Sequence, residues 1–167
     1  IRDRYYNDAV ATTELYMNKV NEKLGTDYKL FNYYGAPDAE RVIIAMGSVC
    51  DTIKETIDFL NARGEKVGLV CVHLYRPFSA KHLIDAIPDS VKTISVLDRT
   101  KEPGALGEPL YLDVVAALKG SKFDGVEILG GRYGLGSKDT VPANIISVYN
   151  NMAAAEPKKT FTIGITD

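Results

Sequence analysis

From Arg41 onward, two hydrophobic rhythms alternate along the chain. Residues 42–46 form a continuous apolar run, and 67–72, 91–97 and 126–129 are further apolar-rich, β-like stretches. Runs of that length without polar alternation predict strands covered on both faces. Between them, apolar residues recur every three or four positions, as at Ile53, Ile57 and Leu60, which predicts helices with one buried stripe. Gly64 stops the first of these. Ser79 is placed to cap a short helix running to Ala86, which Pro88-Asp89 breaks. A third helix is predicted over 109–119, with Pro109 in its first turn and Gly120 past its end. A fourth spans 142–152, with Ile145, Ile146, Val148 and Tyr149 apolar. Ahead of this regular part, Val10, Thr13, Met17, Val20 and Leu24 give one face to a helix over 7–25, ended by Gly25. The aromatic-rich stretch 28–34, bounded by Gly35-Ala36-Pro37, suits a peripheral strand. Residues 160–165 form a last extended segment. Strands alternating with helices predict a parallel sheet covered on both faces, with three βα units from residue 41 to about 130 as its body.

In such sheets, ligands and partners bind beyond the carboxyl ends of the strands. The run ending at Leu97 empties into Asp98-Arg99-Thr100-Lys101-Glu102-Pro103-Gly104. Two cations, a carboxylate and a hydroxyl there fit recognition of an anion or a partner, with Arg99 offering a planar fork to a carboxylate or phosphate. A solvated turn with its charges in water accounts for the same residues. The run ending at Met46 leads through Gly47-Ser48 into a helix, where free backbone N–H groups bind anions; a plain turn capped by Ser48 is the alternative. Gly130-Gly131-Arg132-Tyr133-Gly134-Leu135-Gly136 reads as a secondary candidate loop, represented by Gly131, Arg132 and Gly134. Its spacing does not match a dinucleotide fingerprint, and no P-loop motif occurs.

Composition narrows the classes. A net charge of −2 argues against general nucleic-acid binding. No apolar run approaches 18 residues, so no helical membrane span is predicted, and the N-terminus lacks the apolar core of a signal peptide. The chain starts at Ile1 without an initiator Met and stops at Asp167 in a β-like run. We therefore expect residues 1–167 to be one domain of a longer polypeptide, working in the cytoplasm. Two cysteines and two histidines supply neither a four-ligand zinc site without carboxylates nor a four-cysteine iron–sulfur cluster. Cys71, inside an apolar run, reads as a buried inert thiol. Cys50, at a helix start, reads either as reactive or as structural. His73 and His82 read as structural or surface residues. Of the N-terminal aromatics, Phe31 is expected inside and several tyrosines against another domain or subunit.

Four blocks carry a family resemblance: Arg41-Val-Ile-Ile-Ala-Met-Gly-Ser48, Gly64-Glu-Lys-Val-Gly-Leu-Val-Cys-Val-His-Leu-Tyr-Arg-Pro-Phe78, Leu97-Asp-Arg-Thr-Lys-Glu-Pro-Gly-Ala-Leu-Gly-Glu-Pro-Leu-Tyr-Leu-Asp113 and Gly130-Gly-Arg-Tyr-Gly-Leu-Gly-Ser137. They resemble the second domain of pyruvate:ferredoxin (flavodoxin) oxidoreductase, which is similar to the transketolase C-terminal domain. The resemblance implies a three-layer α/β/α sandwich whose mixed five-stranded sheet has order 1-3-2-4-5, strand 1 antiparallel. It also implies a parent enzyme of anaerobic metabolism that decarboxylates a 2-oxoacid oxidatively and makes acyl-coenzyme A. Ferredoxin or flavodoxin takes the electrons. Thiamine diphosphate and iron–sulfur clusters are implied elsewhere in that parent, a homodimer, with no cofactor bound by this stretch alone. The domain's implied work is architecture and contact with other domains, through the candidates Gly47, Ser48, Arg99, Thr100, Lys101, Glu102 and Gly104. A related domain of another 2-oxoacid dehydrogenase or synthase, or a freestanding binding module, are the alternative readings.

Overall fold

A computed structural model describes residues 2–166; Ile1 and Asp167, on which the reading of the chain ends rests, lie outside the described residues. Helices α1 (Arg2–Leu24), α2 (Val49–Asn61), α3 (Ala80–Ala86), α4 (Pro109–Leu118) and α5 (Pro142–Ala153) surround strands β1 (Phe31–Gly35), β2 (Arg41–Met46), β3 (Val67–Val72), β4 (Thr93–Asp98), β5 (Glu127–Arg132) and β6 (Thr160–Thr162). The strands form one sheet of order β1-β3-β2-β4-β5-β6. β1 runs antiparallel to β3, and the other pairings are parallel. The implied order and the antiparallel edge therefore hold, but the sheet has six strands rather than five. The extended segment after α5 returns beside Gly130–Arg132 and adds three residues of ladder, a pairing too short for hydrophobic pattern to announce.

Every residue of β3 and β4 is buried, including the polar Thr93, Ser95 and Asp98 of β4. One face packs under α2 and α5, through Ile43, Leu69, Leu97, Ile53, Ile57, Ile145 and Tyr149. The other packs under α3 and α4, through Val42, Ile44, Ile94, Val96, Leu83, Leu110 and Val114. The result is the expected three layers. Tyr149 is anchored across the first face by a 2.8 Å hydrogen bond from its Oη to the Gly68 carbonyl.

Two expectations need correction. The helix at the start is longer than predicted, and its apolar face does not bury. No residue of α1 is fully enclosed; Val10 and Met17 touch the second face, while Val20 and Leu24 remain 41% and 68% exposed. The glycine run after residue 129 is also not all loop. Gly130 and Gly131 continue β5, and a Cβ on Gly131 would come within 2.6 Å of the Leu97 side chain and the Phe161 ring. Glycine is there because two side chains already fill the space above it. Phe31 is buried, and Tyr5, Tyr6, Tyr28 and Tyr34 stand exposed.

Candidate functional site

β2 and β4 are adjacent, and their connections leave in opposite directions. β2 passes through α2 to β3 on one side, and β4 through α4 to β5 on the other. The gap above their carboxyl ends is the switch point of the sheet.

Asp98 closes β4 there. It is 7% exposed, and its carboxylate accepts the N–H groups of Leu110 at 2.9 Å and Tyr111 at 3.1 Å. It therefore caps α4 from outside the helix, a negative charge set against the positive end of the helix dipole. Burial pushes its pKa up, the two N–H bonds work against that, and Glu108 and Asp113 reinforce it. Sequence spacing marked Asp98 only as the start of a charged loop; its role needs Pro109-Leu110 brought back beneath it.

Beyond Asp98 the loop splits the candidate residues between two hollows. In the first, about 150 Å³, Ser48, Val49 and Thr52 of the α2 start face Arg99, Tyr133, Gly134 and Lys138–Thr140. Arg99 is exposed, and its side chain crosses Gly134: a Cβ on that glycine, which sits at φ +63°, would meet the Arg99 Nε at 2.8 Å. Tyr133 donates from its Oη to the Met46 carbonyl at 3.4 Å, tying the loop after β5 to the end of β2. Burial raises the Tyr133 phenol, with Arg99 pulling the other way. The Ser48 side chain makes no capping hydrogen bond to α2, so the alternative of a turn capped by Ser48 does not hold. The N–H groups of Cys50 and Asp51 bond instead to the carbonyls of Gly47 and Ser48, at 3.1 and 3.2 Å. Gly47 forms the exposed tip of this turn at φ +79°, and Thr100 is half-buried past Arg99.

The second hollow, about 220 Å³, takes Lys101, Glu102 and Gly104, together with Glu108, Tyr111, Gly130, Arg132 and Thr160. Glu108 is 5% exposed and holds the loop down. Its Oε1 lies 3.4 Å from the Arg132 Nη1 and 3.5 Å from the Glu102 N–H, and Arg132 also donates from Nε to the Thr162 Oγ1 at 3.1 Å. Lys101, Glu102 and Gly104 thus turn away from Arg99 toward the β5–β6 edge. Of the glycine-run candidates, Gly134 joins the first hollow, Arg132 the second, and Gly131 neither. Thr52, Lys138 and Thr140 were missed; for the latter two the trace in the sequence is the polar Ser137-Lys138-Asp139-Thr140 stretch after Gly136.

A broader depression of about 700 Å³ lies at the opposite end of the sheet, beside Tyr33, Asp58, Asn61 and Lys66. It sits by the amino ends of the strands and carries the 2.6 Å Lys66–Asp38 ion pair. Among the described residues no three His, Cys, Asp or Glu side chains converge to hold a metal ion, and two cysteines do not fit a four-cysteine cluster. His82 bonds Ser79 at 2.6 Å and approaches Glu14 at 3.4 Å. Both cysteines are buried. Cys50 is driven up by its hydrogen bond to Cys71 and by burial, whereas Cys71, expected to be inert, is drawn down by that same bond.

Residues 39–145 match the family model described as pyruvate:ferredoxin oxidoreductase core domain II. Over 165 residues the chain is 59% identical to a pyruvate-flavodoxin oxidoreductase of Enterobacter agglomerans, covering 99% of this chain and 14% of that protein. Over 163 residues it is 52% identical to the pyruvate:ferredoxin oxidoreductase of Moorella thermoacetica, covering 98% of this chain and again 14% of the relative. Among solved structures it resembles the 2-oxoglutarate:ferredoxin oxidoreductase from Magnetococcus marinus with 2-oxoglutarate, coenzyme A and succinyl-CoA bound, with a TM-score of 0.52 at 20% identity over 82% of this chain and 22% of that one. That likeness speaks for the fold.

Proposed function

The chain belongs to the pyruvate:ferredoxin oxidoreductase core domain II family, and from that premise we propose that it is a supporting domain of a pyruvate oxidoreductase. The parent enzyme decarboxylates pyruvate oxidatively, passes the electrons to ferredoxin or flavodoxin and forms acetyl-coenzyme A, acting as a homodimer in the cytoplasm. The observation that carries this reading is 59% identity along 99% of the chain with a pyruvate-flavodoxin oxidoreductase seven times its length. Residues 1–167 form one unit of that larger polypeptide. Thiamine diphosphate and the iron–sulfur clusters belong to its other segments.

The domain's own task is contact. Arg99 and Lys138 face the Ser48, Thr52 and Thr140 hydroxyls across the switch-point hollow. Such a set receives a carboxylate or phosphate: an acidic side chain of a neighbouring domain, or a phosphate of coenzyme A where the cofactor passes along this edge. A lone hollow of this kind binds weakly, near millimolar, about 4 kcal/mol. The test is to mix the purified chain with pyruvate, coenzyme A, thiamine diphosphate and a viologen dye, with the parent enzyme as control. The parent reduces the dye and the chain does not. Turnover by the chain that survives repurification overturns the supporting role.

A further inference from the structure

Gly134 and Gly136 stand in one loop and share a backbone state, at φ +63° and +62°. A left-handed φ is reason enough for glycine at both. Their surroundings differ. A Cβ on Gly136 would have nothing within 4 Å. A Cβ on Gly134 would meet the Arg99 side chain at Nε, Cγ and Cδ, 2.8, 3.2 and 3.3 Å away. The Arg99 stem therefore lies along the turn, in the space that a side chain at 134 would occupy. Backbone bonding holds the two loops in this register. The Tyr133 N–H donates to the Asp98 carbonyl at 3.1 Å, joining the residue before Gly134 to the residue before Arg99. The Tyr133 hydroxyl ties the same loop to the Met46 carbonyl at the end of β2.

An arginine loose in water samples many rotamers, and a ligand that grips it must freeze them. A stem laid on bare backbone has given up part of that freedom before the ligand arrives. Gly134 thus has a use that Gly136 lacks. We propose that Gly134 is a positioning residue of the switch-point hollow, its missing side chain leaving the bed on which Arg99 is held toward an incoming oxyanion. This rests on the reading of that hollow as an oxyanion site. Arg99 brings a permanent charge and a planar fork. Lys138 adds a second cation, Ser48, Thr52 and Thr140 add hydroxyl donors, and Asp139 in the same lining opposes them. A methyl group at 134 leaves all of these side chains in the molecule. It removes only the place where Arg99 lies. Arg99 is exposed, so its side chain yields rather than the backbone, and the guanidinium has to be ordered anew at each binding event. Gly134 acts through Arg99 and makes no ligand contact of its own in this role.

The test is read by NMR on the full chain labelled with ¹⁵N. The Arg99 Nε–H group reports its own order through the heteronuclear NOE, with Arg4, whose side chain is 87% exposed, as the mobile reference. Arg99 is ordered in the wild type and in Gly136→Ala, and as mobile as Arg4 in Gly134→Ala. Inorganic phosphate is then titrated in. In the wild type it shifts the Arg99 Nε–H and the amides of Ser48 and Thr140. Gly134→Ala raises the dissociation constant by about threefold to tenfold. Gly136→Ala carries the same left-handed strain and leaves the constant unchanged. In an Arg99→Ala background, Gly134→Ala changes it no further, as a residue acting only through Arg99 requires. The wild-type NOE needs no variant, so it decides the matter even where Gly134→Ala fails to fold. An Arg99 Nε–H as mobile as that of Arg4 in the wild type overturns the proposal. So does an equal loss of affinity in the two alanine variants, or a further loss from Gly134→Ala in the Arg99→Ala background. An ordered Arg99 that phosphate leaves unshifted overturns instead the reading of the hollow as an oxyanion site.

Discussion

Asp98 carries two opposed contributions in one side chain. Its carboxylate accepts two N–H groups at the start of α4, yet burial holds its pKa above the ordinary value. Removing the acceptor in Asp98→Ala leaves those N–H groups unpaired and is expected to cost about 1–3 kcal/mol in urea denaturation. Asp98→Asn keeps one acceptor oxygen and loses less. The sign of the pH effect follows from the raised pKa. The folded state holds the proton more tightly than the unfolded one, so this stabilisation is full below the unfolded value and disappears as pH rises through the folded one. Wild type measured against Asp98→Asn is therefore relatively less stable at pH 7 than at pH 4, and a difference of the opposite sign would refute the burial account. Arg99 sits at the other extreme. It is exposed, so Arg99→Ala should change the isolated chain by no more than about 0.5 kcal/mol. In the parent enzyme the same change should lower pyruvate-dependent viologen reduction. Several kcal/mol lost in the isolated chain would make Arg99 a structural pair instead.

Among the elements, β5 gives the clearest test. Gly131→Ala places a methyl against Leu97 and Phe161, and overpacking of this kind costs about 1–3 kcal/mol. Phe161 belongs to the three-residue β6, so β6 should be the element that yields, visible as faster amide exchange over 160–162 than in β2 or β4. The same exchange experiment should rank α1 as the most labile helix, because it buries no residue completely and low burial means low local opening energy. These elements also mark where the sequence was readable. β2 and β3 announced themselves because burial on both faces favours unbroken apolar runs, and β4 and the start of β5 through β-branched, apolar-rich stretches. The end of β5 did not, since glycines there are chosen by neighbouring side chains rather than by strand propensity. α1 showed a helical stripe, but periodicity does not say whether anything covers it. The division of the charged loop was equally hidden: Arg99 and Lys101 are two residues apart, and the Glu108–Arg132 pair decides that they face different hollows.

At the scale of the whole molecule, strand order and chain order disagree at β2 and β3, which are exchanged. β1 and β2 are consecutive in the chain, but β3 lies between them, and β1 pairs with β3 alone. Translation delivers the strands in the other sequence. A nascent chain that has released β1 and β2 has nothing for β1 to pair with until Val72 leaves the ribosome. Through that interval Phe31 and Tyr33 stay unsheltered beside an open ladder, the kind of edge that invites wrong partners. A stalled chain whose β3 is still inside the ribosome should therefore be held by a chaperone, and one long enough for Val72 to have emerged should be released.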